Sequence, residues 1–247
     1  MKIYNDDCFN IFPEIPDSSV DFVLCDPPFG VTSLEWDNVL NFEKLWESLN
    51  RIVREDGAIA LFATQPFMTD LIVSNRANYR YEWIWMKNVP TGMASQSYAP
   101  MKYHEYILIF YRKKPYVFNK QMIAREGKGK DCYKYEHYCG DSNHVKMNKV
   151  KKFYDPSFVN PGNILLFNTV PNRKGKLHPT EKPVGLLEYF IKTYTNEGDT
   201  VLDFTMGSGS TGEACKNLNR NFIGIELDKK YFDKAEKRLY NNLLFYS

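Results

Sequence analysis

The stretch Asp199 to Leu239, "DTVLDFTMGSGSTGEACKNLNRNFIGIELDKKYFDKAEKRL", decides the fold. "DTVLDFT" is a short apolar run, the pattern of a buried strand. "MGSGST" is a turn of small residues. "GEACKNLN" has helical character, "NFIGIEL" is a second strand, and "DKKYFDKAEKRLYNNLL" is a second helix. A strand, a glycine turn, a helix, a strand and a helix in that order form a unit of a doubly wound, mostly parallel α/β sheet.

The glycines Gly207, Gly209 and Gly212 stand as G-x-G-x-x-G between strand and helix, the context in which backbone and ligand can approach closely. Glu226 ends the next strand, where a carboxylate can accept hydrogen bonds from ribose hydroxyls. Two cofactors fit this pattern. A nicotinamide dinucleotide needs the helix N-terminus for its pyrophosphate and normally uses the first βαβ of a fold. S-adenosylmethionine has no phosphate, and its amino and carboxylate groups need polar side chains such as Asp203, Ser208, Ser210 and Thr211. The glycine pattern alone leaves both open. Here the unit comes last in the chain.

Upstream, "VDFVLCD" reads as a strand that delivers Asp26 to its carboxyl end, the edge where open α/β sheets place ligands. Pro27 and Pro28 have fixed φ and no N–H, so they form a stiff segment with free carbonyls. A carboxylate, a rigid carbonyl and the flat ring of Phe29 complement a planar ligand bearing an NH2 group, such as a nucleobase. The lone pair of that amine is delocalised into the ring. Acceptors on both N–H bonds favour a more tetrahedral nitrogen, able to attack a sulfonium methyl in line. Such a base must first be flipped out of a duplex. The plain alternative is an Asp-Pro-Pro turn that closes a strand.

The rest of the chain suits this frame. "KIYNDD" reads as a strand and "FNIFPEIPDSS" as a short helix or turn. "NFEKLWESLNRIV" is an amphipathic helix that "REDG" should end. "AIALFA" is a buried strand, "PFMTDLIVSN" a helix, and "YRYEWIWMK" and "HEYILIFYR" are strands around the loop "NVPTGMASQSYAPM". From Lys113 to about Asn163 periodicity fails, which predicts an insertion. "NILLF" is then a strand, "HPTEKP" a rigid loop and "VGLLEYFIKTYT" a helix. At 247 residues, one α/β domain with an inserted region is expected.

Net charge is only +2, but residues 1–50 hold two lysines against ten acids, and residues 112–152 hold twelve basic residues against four acids. A segment of +8 suits a polyanion, or is a solvated lysine-rich loop. No apolar run is long enough for a membrane span. The acidic "MKIYNDDCFN" does not resemble an export signal, and five scattered cysteines fit a reduced cytoplasmic protein. Cys132, His137, Cys139 and His144 could ligate zinc, but their C-x4-H-x-C-x4-H spacing matches no finger, so no metal is expected.

Asp26-Pro-Pro-Phe upstream with "DFTMGSGST" downstream resembles the amino-directed DNA methyltransferases, and the order of the motifs is that of the β group. "WDNVLNFEKLW", "KYHEYILIFYRK" and the whole of "HPTEKPVGLLEYFIKTYT…AEKRL" also look like family segments, so the resemblance covers essentially the whole chain. It implies S-adenosylmethionine as cofactor and double-stranded DNA as partner, in a bacterial cytoplasm. It leaves a homodimer, a restriction partner and an origin on a phage or mobile element open.

By the same resemblance, Asp26 and the Pro27 carbonyl, with Pro28 behind them, bind the target amine and Phe29 stacks on the base. Asp7 lies near cofactor and base. Asp203, Phe204, Gly207, Ser208, Gly209 and Thr211 line the methionine part of the cofactor, and Glu226 its ribose. His178, Thr180 and Lys182 belong to a loop near the cofactor carboxylate, in which Glu181 stands where the family often has Gln. Asp before Pro-Pro is a tendency of adenine-N6 enzymes; cytosine-N4 is the alternative, and an oxidoreductase or a non-catalytic nucleic-acid binder a more distant one. "DFT" replaces the commoner "DPF". Residues 112–163 correspond to a target-recognition region, with Lys113, Lys114, Lys128, Lys130, Lys149, Lys151 and Lys152 meeting phosphates among Tyr116, Phe118, Tyr133, Tyr135 and Tyr138.

Overall fold

The structure, a computed structural model, describes residues 1–30, 39–93, 96–124, 157–171, 177–178 and 180–240. Its elements are, in chain order, β1 (Lys2–Tyr4), α1 (Cys8–Ile11), β2 (Val20–Cys25), α2 (Phe42–Ile52), β3 (Val53–Ala63), α3 (Phe67–Ser74), β4 (Tyr79–Thr91) and β5 (Lys102–Phe110). They continue as β6 (Ile123–Ala124), β7 (Phe158–Val159), β8 (Ile164–Leu166), α4 (Val184–Tyr194), β9 (Thr200–Asp203), α5 (Ser210–Asn217), β10 (Asn221–Ile225) and α6 (Lys229–Tyr240). Two compact units result. The larger holds residues 1–119 and 163–247, the smaller Lys120–Gly162, where β6 and β7 pair antiparallel. Residues 112–119 therefore belong to the larger unit. There Arg54 lies over the Tyr116 ring and Phe118 packs edge-on against Tyr194.

The larger unit is built on an eight-stranded sheet, ordered β1-β10-β9-β2-β3-β5-β4-β8. Every neighbouring pair is parallel except β3/β5 and β5/β4. Strands buried on both faces explain the unbroken apolar runs. Along β2, Phe22 and Leu24 point into one core with Phe62, Leu186 and Phe190, while Val23 and Cys25 point into another with Leu45, Leu49 and Leu108. Helices α4, α5 and α6 cover the first face; α1, α2 and α3 cover the second. Among the described residues, no helix is long and apolar enough to cross a membrane.

Two boundaries differ from expectation. "REDG" does not end α2 as a turn; α2 stops at Ile52 and β3 starts at Val53 and runs through it. The pairing with β2 slips between Val20↔Val53 and Phe22↔Ala58, so this irregularity absorbs the polar residues within the strand. Gly57 fits there because a Cβ would meet the Asp21 carbonyl oxygen at 2.8 Å. Likewise β4 runs on through "NVPT" to Thr91, with a register shift between Met86 and Thr91.

Polar groups tie the layers together. Asp21 on β2 accepts from Arg54 of β3 (3.1 Å) and from the Thr200 backbone N–H of β9 (2.8 Å). Tyr194, at the end of α4, is buried; its hydroxyl takes the Trp83 indole N–H at 2.9 Å and pairs with the Tyr81 hydroxyl at 2.8 Å. Tyr194→Phe leaves the indole donor buried without a partner. Urea unfolding should show a loss of about 1–3 kcal/mol with the fold retained; an unchanged midpoint would show that the hydroxyl does not anchor α4.

Candidate active site

The topology decides which groups meet. Parallel strands β1, β10, β9, β2, β3 and β4 all end on one edge of the sheet, and antiparallel β5 begins there. Asp26 follows β2, Asp203 closes β9, Glu226 follows β10, Asp7 lies just beyond β1, and Glu105 sits near the start of β5. They line a cavity of about 610 Å³, in the size range of small-molecule sites.

One part of the lining is the glycine loop. Gly207 (φ +53°) and Gly209 (φ +80°) adopt left-handed conformations that favour glycine. The Gly207 N–H donates to one Glu226 oxygen at 2.8 Å, and the Asp228 N–H donates to the other at 2.8 Å. Burial raises the pKa of Glu226 in spite of these bonds. Asp203 accepts from the Thr211 hydroxyl at 2.6 Å and from the Thr205 N–H at 3.2 Å. Asp203 is 4% exposed, and burial pushes its pKa up to about 7 against the pull of those hydrogen bonds.

Gly207, Ser208, Thr211 and Glu226 all line the cavity, as do His178 and Thr180. Phe204 borders it too, but its ring is buried against Phe12. Gly209 faces away: a Cβ there would meet Ala235 Cβ at 3.0 Å, so this glycine serves the approach of α6. Gly212 is likewise closed in by Phe222 and Leu239. Tyr231, which the sequence reading did not single out, lines the cavity with its ring 4.1 Å from that of His178.

Asp26, Pro27, Pro28 and Phe29 line the same cavity, with Phe29 against Phe67 at 5.1 Å. Thr205, the departure noted in "DFT", joins the two loops: its hydroxyl donates to the Asp26 backbone oxygen at 3.0 Å. The Cys25 thiol lies 3.0 Å from the same hydroxyl. Asp7 also lines the cavity and caps α1 through the Phe9 N–H at 2.8 Å.

Lys182 lines the same cavity and is paired there with two carboxylates. Its ammonium lies 2.5 Å from Asp26 Oδ2, 3.5 Å from Glu105 Oε2 and 4.9 Å from the centre of the Phe62 ring. Lys87 of β4 reaches Glu105 Oε1 at 3.1 Å. Burial works to lower the Lys182 pKa, but the Asp26 and Glu105 carboxylates outweigh it and leave it raised. Burial works to raise that of Glu105, but the two lysines hold it below the usual range. Neither Lys87 nor Glu105 was singled out from the sequence. A lysine in a run as apolar as "YEWIWMK" was the available signal. The loop of Lys182 is itself pinned by Glu181, which accepts from the Leu177 N–H at 3.0 Å and from Arg238 at 2.7 Å.

Of the basic residues read as phosphate contacts, Lys113 is exposed and paired with Glu55 at 2.8 Å, and Lys114 is exposed. Lys128, Lys130, Lys149, Lys151 and Lys152 lie outside the described residues, as do Cys132, His137, Cys139, His144, Tyr133, Tyr135 and Tyr138.

Comparison with known proteins agrees with this arrangement. The profile of a family described as DNA methylase matches residues 20–237. The type II methyltransferase M.HpaI of Haemophilus parainfluenzae is 30% identical over 241 residues, covering 91% of this chain and 69% of that protein. The DNA adenine methyltransferase YhdJ of Escherichia coli is 27% identical, covering 96% of this chain and 82% of that one. The crystal structure of the M1.HpyAVI–SAM complex superposes with a TM-score of 0.66 at 29% identity, covering 96% of this chain and 99% of that one. With the profile spanning most of the chain and an acceptor-bearing loop sharing one cavity with a glycine cradle, the protein belongs to the amino-directed DNA methyltransferases, a family that takes its methyl group from S-adenosylmethionine.

Proposed function

We propose that the chain methylates the exocyclic N6 of an adenine swung out of double-stranded DNA. The observation that carries this reading is the shared cavity, lined by Asp26-Pro27-Pro28-Phe29 and by Asp203, Gly207 and Glu226 alike. Adenine rather than cytosine is favoured by Asp before Pro-Pro.

The residues present fit S-adenosylmethionine. Gly207 leaves a cradle with no side chain, Asp203 offers a buried carboxylate to an ammonium, and Glu226 keeps unused lone pairs for ribose hydroxyls. Thr211 fixes the Asp203 carboxylate, and Ser208, Thr180 and His178 add polar groups to the same wall. When bound, the cofactor supplies a methyl group on a positively charged sulfur.

The protein's part is placement and charge. Asp26 and the Pro27 carbonyl accept from the amine, and Phe29 stacks on the base. Thr205 holds the Asp26 backbone to the cofactor loop, so acceptor and cradle keep a fixed separation. Phe62, Trp85 and Leu187 make part of the wall apolar, which strengthens the field of Asp26 on the positive charge that grows on the nitrogen. Residues 112–163 bring the basic charge that meets DNA and reads its sequence.

DNA from a methylation-free bacterial host expressing the chain should carry N6-methyladenine at one sequence motif, read by sequencing that detects modified bases. N4-methylcytosine there would move the assignment to the other branch of the family. Asp26→Ala should abolish transfer, with a loss of about a thousandfold or more, yet keep cofactor binding by calorimetry; near-normal activity would refute the role of Asp26.

Asp203 gives a pH test. Its folded pKa lies above that of the unfolded chain, so between the two the folded chain keeps a proton that the unfolded chain has lost. Stability of the ligand-free protein should therefore fall as pH rises from the ordinary carboxylate range to about 7, then level off. Asp203→Asn should lack this fall in thermal melts. Cofactor affinity of the native chain should rise across the same window, since ionised Asp203 attracts the ammonium.

DNA binding should weaken steeply with salt. Alanine at Lys128, Lys130, Lys149, Lys151 and Lys152 together should flatten the log–log slope by about 4.5 if each meets a phosphate. An unchanged slope would mean that these lysines do not touch the backbone.

A further inference from the structure

Four charged side chains run in a line along the cavity wall: Asp26, Lys182, Glu105 and Lys87. Two are anionic and two cationic, and the line is largely removed from water. The Lys87 side chain is 2% exposed and that of Lys182 9%. Lys87 is fixed at its far end by Thr91 Oγ1 at 3.3 Å. The spacing along the line is uneven. Lys182 is close to Asp26 at 2.5 Å and more distant from Glu105 at 3.5 Å. Glu105 Oε2 is buried and makes no hydrogen bond among the described residues. A buried carboxylate oxygen in that state favours a donor that can move onto it.

This bears on the reaction read above, and the inference rests on that reading. The target amine needs the Asp26 carboxylate both as acceptor and as the negative charge facing the reacting nitrogen. While the Lys182 ammonium sits on Asp26, the pair is nearly neutral and one oxygen is taken. A lysine side chain is flexible enough to shift about 1 Å, and such a shift would seat the ammonium on Glu105 Oε2.

We propose that capture of the target amine is an exchange: the amine takes the place of Lys182 on Asp26, Lys182 moves onto Glu105, and Lys87 sets how strongly Glu105 draws it. Glu105 and Lys87 are thus positioning residues that act through Lys182. No bond forms or breaks in the exchange, and the total charge of the line is unchanged. Lys182 pairs with one oxygen of Asp26 while no base is present, which lowers the cost of burying that acid.

The exchange predicts opposite effects from two neighbours. Glu105→Gln removes the charge that receives Lys182. Methyl transfer should fall roughly tenfold or more, with weaker capture of DNA carrying a 2-aminopurine target, while cofactor affinity measured by calorimetry changes little. Lys87→Met removes the competitor for Glu105. Lys182 should then lean towards Glu105, and 2-aminopurine fluorescence should report tighter capture of the flipped base. Glu105→Asp keeps the charge and should recover part of the activity lost in Glu105→Gln.

A residue needed only for folding would lower all of these readouts together in both variants, and that result would overturn the proposal. A crystal structure of the ligand-free Lys87→Met protein tests the shift without any activity. The Lys182 ammonium is expected nearer to Glu105 than to Asp26, and an ammonium still seated on Asp26 defeats the exchange. It remains informative if Glu105→Gln does not fold. A native chain that leaves DNA unmethylated would instead strike the reading of the reaction, whatever Lys182 does.

Discussion

The parallel pairing of β2 with β9, Phe22 beside Val201 and Val23 beside Leu202, is the constraint on which the site depends. It joins segments about 180 residues apart in sequence and leaves Asp26 and Asp203 at adjacent strand ends. The hydroxyl of Thr205 then closes the gap between the two loops by donating to the Asp26 carbonyl. Asp21 secures the other end of the same strands through Arg54 and the Thr200 N–H. An acceptor loop and a glycine cradle built separately would have no fixed distance. Held by one pair of strands, they line one cavity.

Charge inside that cavity is handled in two ways. Near the cradle, Asp203 and Glu226 are supported by neutral donors, a hydroxyl and backbone N–H groups, and burial still raises both pKa values. Carboxylates so placed gain when a cationic or hydroxyl-rich ligand arrives. Near Asp26 the support is ionic, with alternating acid and ammonium groups along the wall. Paired charges of this kind tolerate burial, and their balance is sensitive to each member. The two parts of the lining thus suit different partners.

Much of the site was legible in the chain because its signals are local. Gly207 at φ +53° is a backbone requirement that a glycine announces. Asp26 and Glu226 were found because strand patterns show where strands end, and the sheet edge is where ligands sit. Glu105 and Lys87 escaped notice because nothing in "HEYILIFYR" or "YEWIWMK" says that β5 runs antiparallel and starts where β3 and β4 finish. Gly209 carries the signature of a ligand contact, yet it meets Ala235 of α6. A G-x-G-x-x-G pattern records where side chains are excluded, and helix packing excludes them as firmly as a cofactor does.

The sequence by itself determined the strands, the helices, the doubly wound class and the two loops that line the cavity, because hydrophobic period and turn residues act over a few neighbours. Only the tertiary structure decided that Lys182 pairs with Asp26 and Glu105. It also decided that Thr205 ties one loop to the other. The physical reason is range. Charge pairs and strand order are set by which segments lie side by side in the sheet, and that order, β1-β10-β9-β2-β3-β5-β4-β8, is written in no local stretch of the chain.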